Sequence, residues 1–382
     1  MNRPIKILHV VRSLQVGGLE KLVLEMCRRA QGLPDVQMSV CSLVAGDGIA
    51  GLERYSSVRT FTLARSYEES KLGAFRAMVR LLRAERPDVL HTHNLSAQFY
   101  GAPAARLVGV PVVVCTRHGT GPKRVLGSLA LAGLVWRMAD QLVPVSDDAA
   151  EQMTANYGIG SSKAHVILNG VDTDAYHPCA GPREAERLRL LQVDGRPVVG
   201  TVCRMIGYKG IDTLLDAFAT VRREEHGAVL VLVGDGADRA GFEEHARKLG
   251  LGESARFLGS RSDVKDIYPL LDVFVLASYQ EGIPLTLLEA MACGVPVVVT
   301  AVGGMPQVTD SGAAGVLVPP RDAAALADAI LSVHRQPELA AKLALAGRQR
   351  VVEQFSLDRM TRDYIDFYRA LYARKVGDGR TA

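Results

Sequence analysis

Residues 278–296 read SYQEGIPLTLLEAMACGVP, a pattern that predicts a strand end, a loop, a helix, a tight turn and the next strand. Pro284 fits the first position of this helix, where its missing N–H group has no structural consequence. The free N–H groups of Leu285 and Thr286 would then point away from the helix N-terminus, where anions bind favourably. The segment therefore predicts an anion site at the start of a helix.

Two carboxylates accompany this anion site. Glu281 lies in the loop before the helix, and Glu289 lies within the helix. Carboxylates are poor partners for phosphate, but they accept hydrogen bonds from hydroxyl groups. A ligand that suits both kinds of group carries a diphosphate between two hydroxylated rings, as a nucleotide sugar does.

Short β-branched runs alternate with longer amphipathic stretches along almost the whole sequence, which is typical of βα units and an α/β fold. The first half predicts strands at 5–11, 37–43, 89–92, 112–116, 141–145 and 164–168. The second half predicts strands at 197–203, 228–233, 256–258, 273–276, 295–299 and 315–318. The clearest helices are predicted at 18–29, 97–108, 125–139, 323–334, 337–355 and 356–373.

A stretch rich in proline, glycine and arginine, residues 176–196, separates the two series and predicts a domain boundary. We expect a first domain over 1–180, a second over 181–355 and a C-terminal helix over 356–382. Both domains would be doubly wound parallel sheets, whose ligands bind beyond the carboxyl ends of the strands. Two such domains in tandem would face each other across a cleft, with the candidate residues on loops that follow strands.

Composition argues against several classes of protein. The 382 residues carry a net charge of +4 without long runs of Lys or Arg, which does not favour nucleic-acid binding. The six cysteines form no Cys-x-x-Cys pair and are expected to be free thiols in a reducing compartment. The N-terminus does not resemble a signal peptide, and no apolar run approaches the roughly eighteen residues of a membrane span. We therefore expect a cytoplasmic protein.

Arg204 and Lys209 follow the strand predicted at 197–203 and precede a helix. An arginine fork and a lysine point charge on one loop can bind a diphosphate together. Two solvated surface cations are the alternative interpretation.

Several glycines and strand ends are weaker candidates. Gly17 and Gly18 open the first predicted helix, where they would let the backbone approach a ligand. The complete Gly-x-Gly-x-x-Gly fingerprint is absent, which disfavours a dinucleotide cofactor. Gly234 could border the base or the phosphates, and the strand end at Phe257 and Leu258 could contact a base edge. A tight turn and a plain core strand are the alternatives.

Three histidines terminate strands of the first half. His91 and His93 share one strand face, so a metal site is conceivable, but no third ligand lies at convincing spacing. We expect no metal, His118 as a hydrogen-bonding residue at the sugar, His93 near the acceptor, and His91 as a structural histidine. Asp172-Thr173-Asp174 resembles a metal-holding Asp-x-Asp motif, but a turn explains it better.

One further segment, the apolar residues 125–137, is preceded by Lys123 and Arg124 and ends at Arg137, so both of its ends are cationic. It could lie on a membrane surface. A buried or half-buried helix is the preferred interpretation.

Taken together, these motifs resemble the retaining family-4 glycosyltransferases, which have the two-domain GT-B fold. The resemblance covers essentially the whole chain, and its most specific part is the pair Glu281 and Glu289 within residues 281–297. The other matching segments are Arg204 to Gly210 with Lys209, Gly17-Gly18, Val145-Ser146 and Asn169-Gly170-Val171-Asp172. Ile283 stands where the family often has Phe.

The resemblance implies a role for each matching residue. Arg204 and Lys209 would neutralise the donor diphosphate, Glu281 would hold the transferred sugar, and His118 would touch the sugar near the reacting carbon. These four are the expected catalytic residues. The remaining donor-binding residues would be Gly17, Gly18, Gly234, Phe257, Leu258, Gly282, Leu285, Thr286 and Glu289, with the last on the ribose hydroxyls. The final helix would cross back to pack on the first domain.

The resemblance also implies the reaction, which is transfer of a sugar, by family habit from a UDP-sugar, with retention and without a metal or other cofactor. The acceptor would be a lipid-linked or soluble glycan or a small molecule, and the transfer would serve surface polysaccharide or glycoconjugate synthesis. Peripheral contact with the inner face of the cytoplasmic membrane is compatible with this role. A non-hydrolysing nucleotide-sugar epimerase and a non-catalytic two-lobed sugar-binding protein are the alternatives.

Overall fold

The computed structural model describes residues 3–14, 17–44, 52–63, 70–118, 133–158 and 160–378. The chain forms two compact units, one of Met1–Gly170 with Leu357–Ala382 and the other of Val171–Ser356. The chain first passes from one unit to the other between Gly170 and Val171, ten residues before the expected boundary at 180/181. The difference arises because Val171 donates its N–H to the carbonyl of Phe355, and Tyr176 packs against Tyr268, so this stretch already belongs to the second unit.

The first unit contains a six-stranded parallel sheet in the order β3-β2-β1-β4-β5-β6. Its strands are β1 (Ile5–Ser13), β2 (Val36–Val44), β3 (Arg59–Thr62), β4 (Val89–His93), β5 (Val112–Arg117) and β6 (Gln141–Pro144). Its helices are α1 (Gly18–Arg29), α2 (Lys71–Glu85), α3 (Asn94–Val108) and α4 (Asp147–Tyr157). β1 and the inner strands are almost entirely buried, because helices cover both faces of such a sheet.

Two details of this sheet differ from the expectation. The sequence predicts a strand at 164–168, but only Ala164 forms an isolated bridge, to Leu142 of β6. The N–H groups of His165 and Ile167 bond to β6 carbonyls without continuing into a strand. The sixth strand is instead β3, an exposed edge strand that sequence analysis missed because it has no apolar run.

The second unit repeats the architecture with the strand order β12-β11-β10-β7-β8-β9, again parallel throughout. Its strands are β7 (Val198–Val202), β8 (Val229–Val233), β9 (Ala255–Gly259), β10 (Val273–Leu276), β11 (Val297–Thr300) and β12 (Val316–Val318). Its helices are α5 (Arg183–Glu186), α6 (Ile211–Glu224), α7 (Arg239–Lys248), α8 (Val264–Ile267), α9 (Leu285–Ala292), α10 (Met305–Val308), α11 (Ala323–Arg335) and α12 (Pro337–Gln354). A π-helical turn, Arg187–Leu191, follows α5. All six strands lie close to their predicted positions.

The last helix, α13 (Leu357–Asp378), belongs to the first unit, as the resemblance implies. The hydroxyl of Tyr368 lies 2.5 Å from Nδ1 of His91, and the hydroxyl of Tyr364 lies 3.1 Å from Oγ1 of Thr116. Arg369 pairs with Asp35 at 2.6 Å. These bonds attach a distant part of the sequence to the centre of the first sheet.

None of the helices in the described part of the chain combines the length and the apolar composition that a bilayer crossing requires.

Candidate active site

The segment 278–296 forms the predicted loop and helix, but the helix begins one residue later than expected. Pro284 has φ −73° and ψ 124°, so it is the N-cap of α9 and not its first residue. Leu285 and Thr286, both half-buried, are therefore the first two helical residues. Their N–H groups have no acceptor within the helix, because the first turn of any α-helix lacks one. The capacity to bind an anion is thus retained.

Glu281 is buried and pairs with Lys209 from another loop. Lys209 Nζ lies 2.5 Å from Oε1 of Glu281, and the two side chains are only 14% and 9% exposed. Ser278 Oγ donates to the same carboxylate oxygen at 2.7 Å. The carbonyl of Gly282 accepts the N–H of Gly304 at 2.9 Å, which fixes the loop. The structure therefore joins the two residues that sequence analysis assigns to diphosphate and sugar.

Close backbone contact brings the Lys209 loop to this position. Gly210 has φ +65°, and a Cβ on it would lie 1.9 Å from the carbonyl oxygen of Ala277 at the end of β10. The N–H of Tyr279 also donates to the carbonyl of Tyr208 at 2.8 Å. Only glycine allows this approach, so the loops after β7 and β10 are held together beside α9.

Arg204 lies at the start of the same loop and is exposed. In the described part of the chain its side chain forms no ion pair or hydrogen bond, which leaves the guanidinium available to a ligand. Gly234 supports the backbone beside it, since a Cβ on Gly234 would lie 1.9 Å from the carbonyl oxygen of Cys203. The N–H of Met205 donates to the carbonyl of Asp235 at 2.9 Å. Gly234 therefore acts on the backbone that carries Arg204.

Phe257 and Leu258 are half-buried on β9, at the edge of the second sheet. The carbonyl of Phe257 accepts a hydrogen bond from Arg239 at 3.3 Å. The N–H of Gly234 donates to the carbonyl of Gly259 at 2.8 Å. The strand end predicted to contact a base thus lies beside the strand that leads to Gly234.

Glu289, one turn into α9, is held by two tyrosines that sequence analysis missed. The hydroxyl of Tyr268 donates to Oε2 of Glu289 at 2.6 Å, and Tyr176 also bonds to this carboxylate. Burial raises the pKa of both phenols, and the negative charge of Glu289 raises it further. Both tyrosines therefore stay neutral hydrogen-bond donors and orient the carboxylate.

In the first unit, four histidines gather at the carboxyl end of the sheet. His9 on β1 is the register partner of His91 on β4, and His93 lies two residues further on the same face. His9 Nδ1 lies 3.1 Å from His93 Nε2, and His93 Nδ1 lies 3.0 Å from His118 Nε2. His9 was not predicted as a site residue, although a single histidine within the apolar run 7–11 was a signal.

These positions refine the expected roles of the histidines. His118 is half-buried, and its backbone N–H donates to Oδ1 of Asn94 at 3.0 Å. Its ring is hydrogen-bonded to the side chain of Asn169. His93 is only 2% exposed, and both of its ring nitrogens face other histidines. His93 therefore lies behind His118 rather than at the surface where an acceptor would be met.

The same cluster contains the one group of potential metal ligands found in the described residues. Ring nitrogens of His9, His91 and His93 lie within 4.8 Å of one another. His91, however, contacts Tyr368 at 2.5 Å and Thr116 Oγ1 at 2.7 Å, so both of its nitrogens already have hydroxyl partners. The trio also contains no carboxylate to balance the charge of a buried cation. This donor set fits a structural histidine at position 91 better than a metal ligand.

The remaining candidates are placed as follows. Gly17 is the N-cap of α1 in extended conformation, and Gly18 is its first residue. Asp172 Oδ1 accepts the N–H groups of Asp174 and Ala175 at 3.2 and 3.1 Å, which is the turn preferred over a metal motif. Most of the apolar segment 125–137 lies outside the described residues.

The histidine cluster generates a prediction on acid stability. Burial lowers the pKa of His9 to about 3 and that of His91 and His93 well below its ordinary value. The unfolded chain therefore binds more protons than the folded chain as the pH falls below about 6.5. The unfolding free energy should decrease there by up to about 1.4 kcal/mol per pH unit for each buried histidine. Urea unfolding at about pH 7.5 and about pH 5.5 measures this slope.

His9→Asn should reduce the slope, whereas His226→Asn, at an exposed position, should leave it unchanged. Equal slopes in the wild type and both variants would contradict the burial of neutral His9.

Comparison with known proteins agrees with this architecture. Residues 16–175 match the family described as Glycosyltransferase Family 4, and residues 182–350 match Glycosyl transferases group 1. The chain is 31% identical over 311 residues to a D-inositol 3-phosphate glycosyltransferase of Saccharomonospora viridis, covering 75% of this chain and 70% of the relative. It is 28% identical over 373 residues to a glycogen synthase of Mycobacterium tuberculosis, covering 91% and 86%.

Solved structures show the same fold. The crystal structure of Anabaena Alr3699/HepE in complex with UDP-glucose has a TM-score of 0.85 at 22% identity, covering 96% of this chain and all of that one. A glycosyltransferase from Rickettsia africae has a TM-score of 0.80 at 22% identity, covering 97% and 99%. The chain therefore belongs to the family-4 type of glycosyltransferases and has their GT-B fold.

Proposed function

We propose that this glycosyltransferase moves a hexosyl or N-acetylhexosaminyl group from a UDP-sugar to an acceptor hydroxyl, with retention of configuration and without a metal ion. The contact between Lys209 and Glu281 carries the proposal, because it brings a cation to the loop that leads into α9. A diphosphate needs cations and N–H donors, and the sugar beside it needs a carboxylate acceptor. The second unit contains all three kinds of group.

Charge development explains how these groups would accelerate transfer. As the bond between the anomeric carbon and the diphosphate breaks, negative charge grows on the leaving phosphate. Lys209, Arg204 and the N–H groups at the start of α9 are preorganised to stabilise this charge in the transition state. With these donors in place, a divalent cation is not required for neutralisation.

Retention follows if the acceptor attacks the face from which the diphosphate leaves. The acceptor oxygen forms the new bond to the anomeric carbon while the old carbon–oxygen bond breaks. The acceptor proton passes to an oxygen of the departing phosphate, so the products are a glycoside and a nucleoside diphosphate. Glu281 would hold a sugar hydroxyl during this exchange, Glu289 the ribose, and His118 the sugar near the reacting carbon.

The relatives indicate the range of donors and acceptors to be tested. They include a glycogen synthase and a GDP-mannose-dependent mannosyltransferase that acts on a phosphatidylinositol mannoside. A structural neighbour was crystallised with UDP-glucose. We propose UDP as the base of this chain's donor, and a glycan or lipid-linked acceptor of surface polysaccharide or glycoconjugate synthesis at the inner face of the cytoplasmic membrane.

A thermal-shift panel tests the donor. UDP and its sugars should raise the melting temperature more than GDP or ADP and their sugars, because a ligand that binds only the folded chain stabilises it. EDTA should not change the shift. A larger shift with a purine nucleotide, or a shift abolished by EDTA, would refute the donor or the metal independence.

A transfer assay with the best donor and a panel of acceptors tests the reaction. Proton NMR of the product should show the donor's anomeric configuration retained. Conversion of the donor to its epimer without an acceptor would instead indicate an epimerase. Donor binding with no turnover on any acceptor would indicate a sugar-binding protein.

Lys209→Ala should lower the rate at saturating donor by about tenfold or more, a loss of about 1.4 kcal/mol of transition-state stabilisation. Lys248→Ala, at an exposed position on α7, is the matched control and should retain the rate. Removal of Lys209 also leaves Glu281 buried without this cation, so both rates are measured below the melting temperature of the variant. A folded Lys209→Ala protein with an unchanged rate would exclude Lys209 from the diphosphate site.

Tyr268→Phe should weaken recognition of the donor ribose, because it removes a hydrogen bond that orients Glu289. We expect the affinity for the nucleoside diphosphate to fall by about three- to tenfold, with little change for the deoxyribose analogue. Calorimetry with both ligands measures this ratio. Tyr364→Phe removes a buried hydroxyl in the first unit and serves as the control. Equal losses for both ligands would show that Tyr268 does not act through Glu289.

A further inference from the structure

Three of the four clustered histidines form a continuous hydrogen-bonded chain. His118 is half-buried, His93 is 2% exposed and His9 is completely buried, so the chain runs from the edge of the first unit into its core. The two links are His118 Nε2 to His93 Nδ1 at 3.0 Å and His93 Nε2 to His9 Nδ1 at 3.1 Å. At the inner end, His9 Nε2 has no hydrogen-bond partner among the described residues.

The chemistry of neutral imidazole allows this chain only two proton arrangements. A neutral ring carries one N–H group, and each link needs one donor and one acceptor. If His9 donates from Nδ1, then His93 accepts at Nε2 and must donate from Nδ1, so His118 accepts at Nε2 and keeps its proton on Nδ1. If His9 accepts instead, all three rings carry their proton on Nε2. The tautomer of His118 is therefore linked to that of a residue two rings away.

The inner end distinguishes the two arrangements. When all three protons are on Nδ1, the unpartnered His9 Nε2 is a bare lone pair. When they are on Nε2, the same position is a buried N–H group without an acceptor. Orphaned N–H groups are the rarer of the two in folded proteins, which favours the first arrangement.

We propose that His9 and His93 are positioning residues that lock His118 in the Nδ1–H tautomer. In this state His118 can donate its Nδ1–H to the side chain of Asn169, with which its ring is hydrogen-bonded, and it cannot take up a proton at Nδ1. In the opposite state, a proton accepted at His118 and passed along the chain would end as a buried cation on His9. His118 consequently acts as a neutral ring of fixed orientation and not as a general base.

This inference deepens the proposed function, on which its catalytic consequence rests. A neutral ring of fixed orientation can contact the sugar without taking up a proton, while the acceptor proton leaves with the phosphate. The state of the three rings, however, is a property of the unliganded protein. The two can therefore be tested separately.

Heteronuclear NMR of the ring nitrogens in the unliganded, full-length protein tests whether His118 is held in the Nδ1–H tautomer. His9, His93 and His118 should all be in the Nδ1–H form at neutral pH, whereas free histidine favours Nε2–H in water. A mixture of tautomers, Nε2–H on any of the three, or the shift of a metal-bound nitrogen would overturn the proposal. None of these outcomes depends on whether the protein transfers sugar.

Variants at position 9 test whether the tautomer of His118 affects catalysis. His9→Leu removes the donor to His93 and should release His118 into a mixture of tautomers. His9→Asn keeps an N–H donor near the position of Nδ1 and should preserve the wild-type ring state. With the donor and acceptor found by the panel, His9→Leu should lower kcat by about three- to tenfold with KM for the donor unchanged, and His9→Asn should restore it.

Melting temperatures of both variants control for folding. If His9→Leu is folded and releases the His118 tautomer but retains the wild-type kcat, the positioning role is refuted. If the wild type transfers no sugar while the tautomers are as expected, the proposed function is refuted, but the fixed tautomer of His118 is not.

Discussion

The ion pair of Lys209 and Glu281 is the interaction on which the second unit's site depends. Two nearly buried opposite charges require each other, since either one alone would be strongly destabilised by the surrounding protein. The ion pair can form only because Gly210 lies against the end of β10. This contact brings the loop after β7 beside the loop that precedes α9. The arrangement of cation, carboxylate and helix N-terminus thus follows from one close backbone contact and one charge pair.

Neighbouring residues hold the groups of the candidate site in place. Tyr176 and Tyr268 orient Glu289, Ser278 shares the carboxylate of Glu281, and Gly234 lies against the backbone beside Arg204. In the first unit, His9 and His93 do the same for His118. In each case neighbouring residues, most of them buried, fix a group that is expected to meet a ligand. Such support gives a site its geometry before a ligand arrives.

The fold was largely readable from the sequence because both faces of parallel strands are buried, so the strands appear as short apolar runs. The edge strand β3 was not predicted because three of its four residues, Arg59, Thr60 and Thr62, are exposed and it has no apolar run. The segment 164–168 was wrongly predicted as a strand because its apolar residues lie along β6 without joining the sheet. The loop positions of Glu281 and Lys209 and the approximate start of α9 were predictable because local sequence determines where a strand ends and a helix begins. Their roles at a ligand stay predictions. Tyr176, Tyr268 and His9 were not found, because their importance comes from partners distant in sequence.

The place of α13 has a consequence for synthesis on the ribosome. Residues 171–356 are contiguous and contain every strand of the second sheet, so this unit is complete before the final helix has been translated. The first unit, although its strands emerge earlier, lacks the hydroxyls of Tyr364 and Tyr368 until α13 has left the exit tunnel. The nascent chain can therefore complete its second unit before its first, and the imidazole of His91 obtains one of its two partners only after α13 has emerged.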